Sequence, residues 1–341
     1  MRITRTLAVL AAATLATGLA ACSSGPAETG AGDGGDDAAF PVTIEHVYGE
    51  TTIEAKPERV ATVAWANHEV PLALGVVPVG MEKATWGDDD GNGILPWVED
   101  ALAELGGEEP VLFDGGDGID FEAIADTQPD VILASYSGLT EEEYDTLSKI
   151  APTVAYPEIA WGTTVDQMIE LNSKALGLEA EGQALIEDLE AQTTEALEAN
   201  PGLEDTKALF AFMDPSDFSQ IGYYTLADTR PGFLAAAGLP QPSLIADDAD
   251  TTEFYLSISS EEAEKFEDVD VFVTYGDPEG DLVEQMQADP LLSKIPAIAE
   301  GRIAILPDAT PLAASANPGP LSIPWGLTDY FKILADAANA G

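Results

Sequence analysis

The sequence predicts an α/β protein with mainly parallel sheets. Three observations carry that reading. From residue 42 onward, short apolar runs alternate with helix-period stretches; one long helical stretch covers 165–200; and the alternation resumes beyond it. At 341 residues and 45% hydrophobic composition the chain can bury more than one apolar core, and its length points to two domains.

The elements follow in order. Residues 42–47 and 51–54 flank Tyr48-Gly49-Glu50 as the arms of a hairpin. Residues 60–64 read as a strand, and Asn67 is placed to cap a helix that runs to Leu74 and is stopped by Gly75. A strand over 76–81 and a helix over 95–105 come next. Asp120 is placed to cap a helix over 121–126 that leads into a strand at 131–135, then 141–150 is helical and 153–156 is extended. Residues 165–200 are helical in character, weakened at Gly177 and Gly182 and stopped by Pro201. Further elements are expected at 208–213, 231–237, 261–266, 271–275, 290–299, 303–306 and 326–338. A weak internal repeat accompanies the two halves. Glu122 opens a helix leading through Pro129-Asp130 into an apolar strand ending at Tyr136, and Glu261 opens one leading through Val269-Asp270 into a strand ending at Tyr275.

The amino terminus carries a separate message. Arg2 and Arg5 precede an apolar run over 7–16 and the small residues Leu19-Ala20-Ala21, the three parts of a secretory signal. The run is too short for a bilayer span. The single cysteine of the chain, Cys22, follows directly. This resembles the lipobox of bacterial lipoproteins, in which the cysteine is acylated and becomes the new N-terminus. Residues 1–21 are then the signal peptide, and 22–38, rich in Gly, Ser and Asp, a flexible tether carrying the lipid. The expected location is the extracytoplasmic face of the cell membrane.

Charge removes whole classes of partner. Loss of Arg2 and Arg5 leaves 11 of the 13 basic residues against 62 acids, a net charge of −51. No nucleic-acid role fits such a chain, since phosphate binding needs clustered Lys and Arg. One cysteine allows no internal disulfide. With two histidines, His46 and His68, no His-rich metal loop is present. The run Asp88-Asp89-Asp90-Gly91-Asn92-Gly93 lacks the spacing and terminal Glu of an EF-hand. No G-x-S-x-G, H-E-x-x-H, phosphate loop or cysteine nucleophile singles out a catalytic site.

Specific stretches carry a resemblance. They are Lys56-Pro57-Glu58-Arg59-Val60-Ala61, Gly75-Val76-Val77-Pro78-Val79-Gly80, Phe121-Glu122-Ala123-Ile124 through Pro129-Asp130-Val131-Ile132, Asp289-Pro290-Leu291-Leu292 and Gly301-Arg302-Ile303. In this order the chain resembles the substrate-binding lipoproteins of ABC importers for iron–siderophore complexes. The resemblance implies two α/β lobes, 39–162 and 201–341, joined by a long rigid connecting helix within 163–200, with ligand held in the cleft between the lobes. It implies a monomer without cofactor or catalysis, whose partners are the iron–siderophore complex, the dimeric ABC permease and the membrane reached through the lipid anchor. It further implies one surface acid per lobe docking onto the permease, at Glu122 and Glu261, with Glu262 an alternative to the latter.

The expected ligand residues are aromatic. Trp65, Tyr136 and Tyr275 follow apolar strands, and Trp86, Trp161, Tyr224 and Trp325 lie in loops or at element edges. Such rings offer flat faces and one donor each to a bulky chelate. Of the three arginines in the mature chain, Arg59 and Arg302 precede strands and point away from the expected cleft. Arg230 lies before a helix, where it can reach ligand oxygens or pair with Asp228. So few cations disfavour a tris-catecholate complex, with about three negative charges, and favour a hydroxamate one. Haem or cobalamin is the alternative cargo within the family. An anchored extracytoplasmic hydrolase is the alternative of another class.

Overall fold

The computed structural model describes residues 40–116 and 118–340. The signal peptide, Cys22 and the tether lie outside the described residues. Among the described residues no helix is long and apolar enough to cross a membrane.

The first hairpin forms as the turn chemistry requires. Strands β1 (Val42–His46) and β2 (Gly49–Ile53) pair antiparallel with His46 opposite Gly49. Gly49 supplies a φ of +117° that side-chain-bearing residues rarely adopt. Ile44 and Ile53 turn inward onto Val60, Val131 and Val154, so the hairpin covers one face of the first large sheet.

That sheet has five parallel strands in the order β5-β4-β3-β6-β7: β3 (Val60–Thr62), β4 (Gly80–Glu82), β5 (Val111–Phe113), β6 (Val131–Leu133) and β7 (Thr153–Val154). Helices α1 (Glu69–Ala73), α2 (Pro96–Leu105), α3 (Phe121–Asp126) and α4 (Glu141–Leu147) connect them. Alternate residues feed opposite cores: Val131 and Leu133 join the hairpin side, Ile132 and Ala134 the other. Asp120 caps α3 as expected, accepting from the Ala123 N–H at 3.0 Å. Asn67 does not cap α1. Its side chain turns into the lobe, where buried backbone groups compete for it, and His68 takes the N-cap position without a side-chain bond. The strands are also shorter than the apolar runs, and β5 went unread because Val111-Leu112-Phe113 is too brief to show a period.

The connector is two helices rather than one. α5 (Val165–Ala175) begins with a capping box between Thr164 and Gln167, and α6 (Glu179–Glu198) follows a break at Gly177, whose φ is +69°. Gly182 does not break α6. A Cβ there would come to 2.2 Å from Ser173 Oγ, so the missing side chain lets the two helices approach.

The second large sheet has the order β10-β9-β8-β11-β12. β8 (Ala208–Phe212), β11 (Val271–Gly276) and β12 (Ile303–Pro307) are parallel, while β9 (Gln220–Tyr224) and β10 (Tyr255–Ser259) run antiparallel to their neighbours. The sequence reading missed β9 and β10. β10 is an edge strand with only partial burial, and β9 carries Gly222 beneath the ring of Tyr255. Helices α7 (Thr229–Ala236), α8 (Ser243–Asp247), α9 (Leu282–Ala288), α10 (Pro296–Ala299), α11 (Pro311–Ser315) and α12 (Ser322–Ala338) complete the lobe. α12 starts four residues earlier than expected because Pro324 falls in its first turn, where no N–H is needed. Phe210, Val271 and Val273 pack toward α12 and the connector, while Leu209 and Phe272 pack the opposite face.

The internal repeat has a topological basis. α3 leads into β6 and the 3₁₀ segment Ser260–Phe266 leads into β11, each strand lying beside the central strand of its sheet. Glu122 and Glu261 are both exposed at the starts of these helical segments. Glu262 is half-buried and pairs with Lys265 at 2.8 Å.

Candidate ligand-binding site

Residues that follow strands of the first lobe meet the second lobe at a junction, Tyr136 at Thr229 and Asn317 and Trp86 at Tyr275, and the region beyond the strands' carboxyl ends is where open α/β sheets bind ligands. The loop after β3 presents Trp65 between Ala64 and Ala66, which hold φ values of 62° and 59°. A left-handed backbone at residues with a Cβ costs about 1–3 kcal/mol each and persists only where the surroundings impose it. Glu82 Oε2 accepts the Ala64 N–H at 2.7 Å, and Asn67 holds the rest of the loop. Fully buried, it donates to Val63 O and Tyr136 O at 2.8 Å each, and accepts from Ser135 Oγ and the Tyr136 N–H at 3.1 Å each. The loops after β3 and β6 are thereby fixed to each other.

Tyr136 crosses the junction. Its hydroxyl meets Thr229 Oγ1 at 3.1 Å and donates to Asn317 Oδ1 at 3.2 Å, both in the second lobe. Burial pushes the Tyr136 phenol upward. Trp161 stands edge-on to Tyr136 with centroids 5.5 Å apart, is 38% exposed, and has its own left-handed φ of 60°. Its indole covers Gly138, where a Cβ would lie 2.2 Å from the Trp161 Nε1. Only glycine admits the ring there.

Arg230 anchors the second lobe's wall. It lies in the first turn of α7, not in the preceding loop, because Asp228 caps the helix through the Arg230 N–H at 2.9 Å. The same carboxylate binds the guanidinium twice, Nε to Oδ1 and Nη2 to Oδ2, both at 2.8 Å. The guanidinium lies 3.7 Å from the Tyr224 ring centre, and Nη1 donates to the Tyr275 hydroxyl at 3.4 Å. Its pairing with Asp228 outweighs burial and raises the Arg230 pKa, so it stays charged while the pair is neutral overall. Tyr275 is pushed up to about 12, chiefly by burial. Trp86 of the first lobe meets Tyr275 edge-on at 5.2 Å.

Seven of the eight expected ligand residues therefore gather at or beside the junction: Trp86, Tyr275, Arg230 and Tyr224 in one contact chain, Tyr136 and Trp161 in a second that reaches Thr229 next to Arg230, and Trp65 on the adjoining loop. Trp325 does not join them. It lies on α12 against Trp97, centroids 5.1 Å apart, because α12 starts early enough to carry it to α2. His68 is buried beside Trp65 at a small cavity that both line and is pushed down to about 4 by burial, and His46 of the hairpin is bound to Thr51 and to Tyr144 of α4. Arg59 and Arg302 stay at the starts of their strands, donating to Thr127 O and Asp270 O. Among the described residues, no three His, Cys, Asp or Glu side chains gather to hold a metal.

A family model described as "Periplasmic binding protein" matches residues 60–310. The chain belongs to the periplasmic binding protein family. Among solved structures, the protein is similar to PiaA of Streptococcus pneumoniae TIGR4 in complex with ferrichrome. The two are 46% identical with a TM-score of 0.83, covering 88% of this chain and 99% of that one. Among curated proteins of Bacillus subtilis strain 168, it is 28% identical over 235 residues to the probable siderophore-binding lipoprotein YfiY, covering 68% of this chain and 67% of the relative. It is 22% identical over 291 residues to the iron(3+)-hydroxamate-binding protein YxeB, covering 84% of each.

Four wall residues of this periplasmic binding protein escaped the sequence reading: Phe210 and Tyr255, which meet Arg230 and Tyr224 respectively, and Thr229 and Asn317, which meet Tyr136. Tyr255 belongs to the unread edge strand. Asn317 follows α11 and is 181 residues from its partner, so no local pattern links them.

Proposed function

We propose that this chain is an extracytoplasmic solute-binding lipoprotein that captures an Fe(III)–hydroxamate siderophore and delivers it to an ABC permease. One observation carries the choice of ligand: the single cation of the aromatic wall, Arg230, is already neutralised by Asp228. A tris-catecholate complex with about three negative charges would need several convergent cations. A hydroxamate complex is neutral or positive, and needs flat faces with a few donors, which Trp65, Trp86, Trp161, Tyr224, Tyr275 and the Arg230 guanidinium supply, with Tyr136 buried behind Trp161. The ferrichrome in the PiaA complex and the hydroxamate named for YxeB support the same ligand class.

On this reading the iron is cargo, no resident cofactor is needed, and no side chain performs a catalytic step. The lobes are 39–162 and 201–341 with 163–200 between them, and Cys22 carries the lipid that holds the monomer at the membrane. Glu122 and Glu261 are the docking acids. Glu261 is preferred over Glu262 because Lys265 already occupies the latter. Titration of tryptophan fluorescence with a ferric hydroxamate, a ferric catecholate, haem and cobalamin tests the proposal. Saturable binding of the hydroxamate is expected. Binding of the catecholate, haem or cobalamin without the hydroxamate would overturn it.

A further inference from the structure

A cavity of about 300 Å³ lies between the connector and α7, beside the Asp228–Thr229 turn. Leu189 of α6, Phe233 and Ala237 of α7, Leu226 and Ile323 give it apolar sides. At about 30 Å³ per water-sized group it has room for roughly ten heavy atoms. Its charged lining residues are all acids: Asp166, Glu190 and Asp228. Asp228 is consumed by Arg230. Asp166 and Glu190 are exposed at the rim, and among the described residues neither pairs with a cation.

The lining also lacks spare donors from its hydroxyls on α6. Thr193 and Thr194 spend theirs on the carbonyls of Leu189 and Glu190 at 2.8 and 2.9 Å. An anion therefore meets two unpaired carboxylates, and of the lining hydroxyls only that of Thr164 keeps an unspent donor, since Thr229 gives its own to Asn317. A bare metal ion lacks the third converging ligand, since among the described residues no group of three forms. What remains complementary is a molecule with an apolar body and one positive head. Burial, and after it the like charges of Glu190 and Glu170, raise the Asp166 pKa, a repulsion that a bound cation relieves.

We propose that this cavity binds an organic ammonium, its apolar body between α6 and α7 and its protonated amine at the Asp166 and Glu190 carboxylates. Asp166 also lies in the first turn of α5, where an acid suits the helix dipole. That role concerns stability and gives no preference among ligands. The cavity shares the Asp228–Thr229 turn with the aromatic wall but none of the wall's tryptophans or tyrosines, and its test uses no siderophore, so the proposal stands or falls separately from the siderophore reading.

Calorimetric titration of the full chain with 2-phenylethylammonium, 2-phenylethanol and phenylacetate tests it. The three share a ring and a short arm and differ in head charge. The ammonium should bind with a millimolar or tighter dissociation constant, about tenfold tighter than the alcohol at low salt, with phenylacetate weakest. In Asp166→Asn/Glu190→Gln the ammonium should fall to the affinity of the alcohol, while the alcohol is unchanged. No saturable ammonium binding, equal binding of ammonium and alcohol by the wild type, or full ammonium affinity in the double variant would each overturn the proposal. The wild-type comparison decides the matter even if the variant folds poorly.

Discussion

Glu69→Gln probes how the two lobes are held together. Glu69 opens α1 in the first lobe and is 1% exposed, yet its carboxylate reaches the second. Oε1 accepts from Trp97 Nε1 at 2.8 Å, and Oε2 accepts the N–H groups of Leu321 and Ser322 at 2.9 and 3.1 Å, at the start of α12. Gly319 packs so closely that a Cβ there would come to 2.3 Å from Oε2. Burial outweighs these three donors and lifts the Glu69 carboxyl from 4.5 to about 7. Neighbouring His68 is kept neutral by its own burial and supplies no compensating charge. Between the two values the folded protein holds a proton that the unfolded chain has released. The stabilisation is therefore complete below about pH 4.5 and is lost as pH rises through about 7. A shift of this size corresponds to about 3 kcal/mol. Glutamine does not titrate, so urea unfolding of both proteins at about pH 5 and about pH 8 isolates the effect from the other acids. The difference in stability should move by about 3 kcal/mol in favour of Glu69→Gln at the higher pH. Parallel pH profiles for wild type and variant would refute the reasoning.

Asn67→Ala removes the side chain that ties the loops after β3 and β6, stranding several buried polar groups. Denaturant unfolding should show a loss of about 3 kcal/mol or more, and a loss under 1 kcal/mol would contradict the positioning role. Arg230→Ala leaves the buried Asp228 carboxylate unpaired and should cost about 3–5 kcal/mol of stability. Arg230→Lys keeps the charge but loses the bidentate fork, and should weaken ferric hydroxamate binding about tenfold by fluorescence titration. Undiminished affinity in Arg230→Lys would remove Arg230 from the ligand site. Glu122→Lys/Glu261→Lys should bind ligand normally yet support little uptake, since reversed charges face the permease; wild-type uptake at equal expression would exclude docking there. Cys22→Ala should leave the protein released or unprocessed with its body folded, and membrane retention of the signal-free protein after alkaline washing would exclude acylation at this position.

By itself the sequence determined the class of fold, the division into two halves and the aromatic character of the site. Each of these rests on local information. Apolar runs such as Val131-Ile132-Leu133 declare a buried strand wherever they occur, and Asp120 caps α3 through an N–H three residues away. Trp65 and Tyr136 follow parallel strands and Tyr275 lies near the end of one, so local order alone places them toward the same end of their sheets. Where partners lie far apart in the chain, the sequence was silent or misleading. Asn67 looked like a cap and became a buried clamp, because Tyr136, 69 residues away, offers it better hydrogen bonds than a helix start does. Trp325 looked like a cleft aromatic, and packing of α12 gave it to Trp97. Tertiary structure alone decided that Arg230 is both neutralised by Asp228 and laid on Tyr224, and that Glu69 bridges to Ser322 across 253 residues. The physical reason is the same in each case. Periodicity and capping are set by neighbours in sequence, but a buried polar group takes whichever partner the packed chain brings within hydrogen-bond reach.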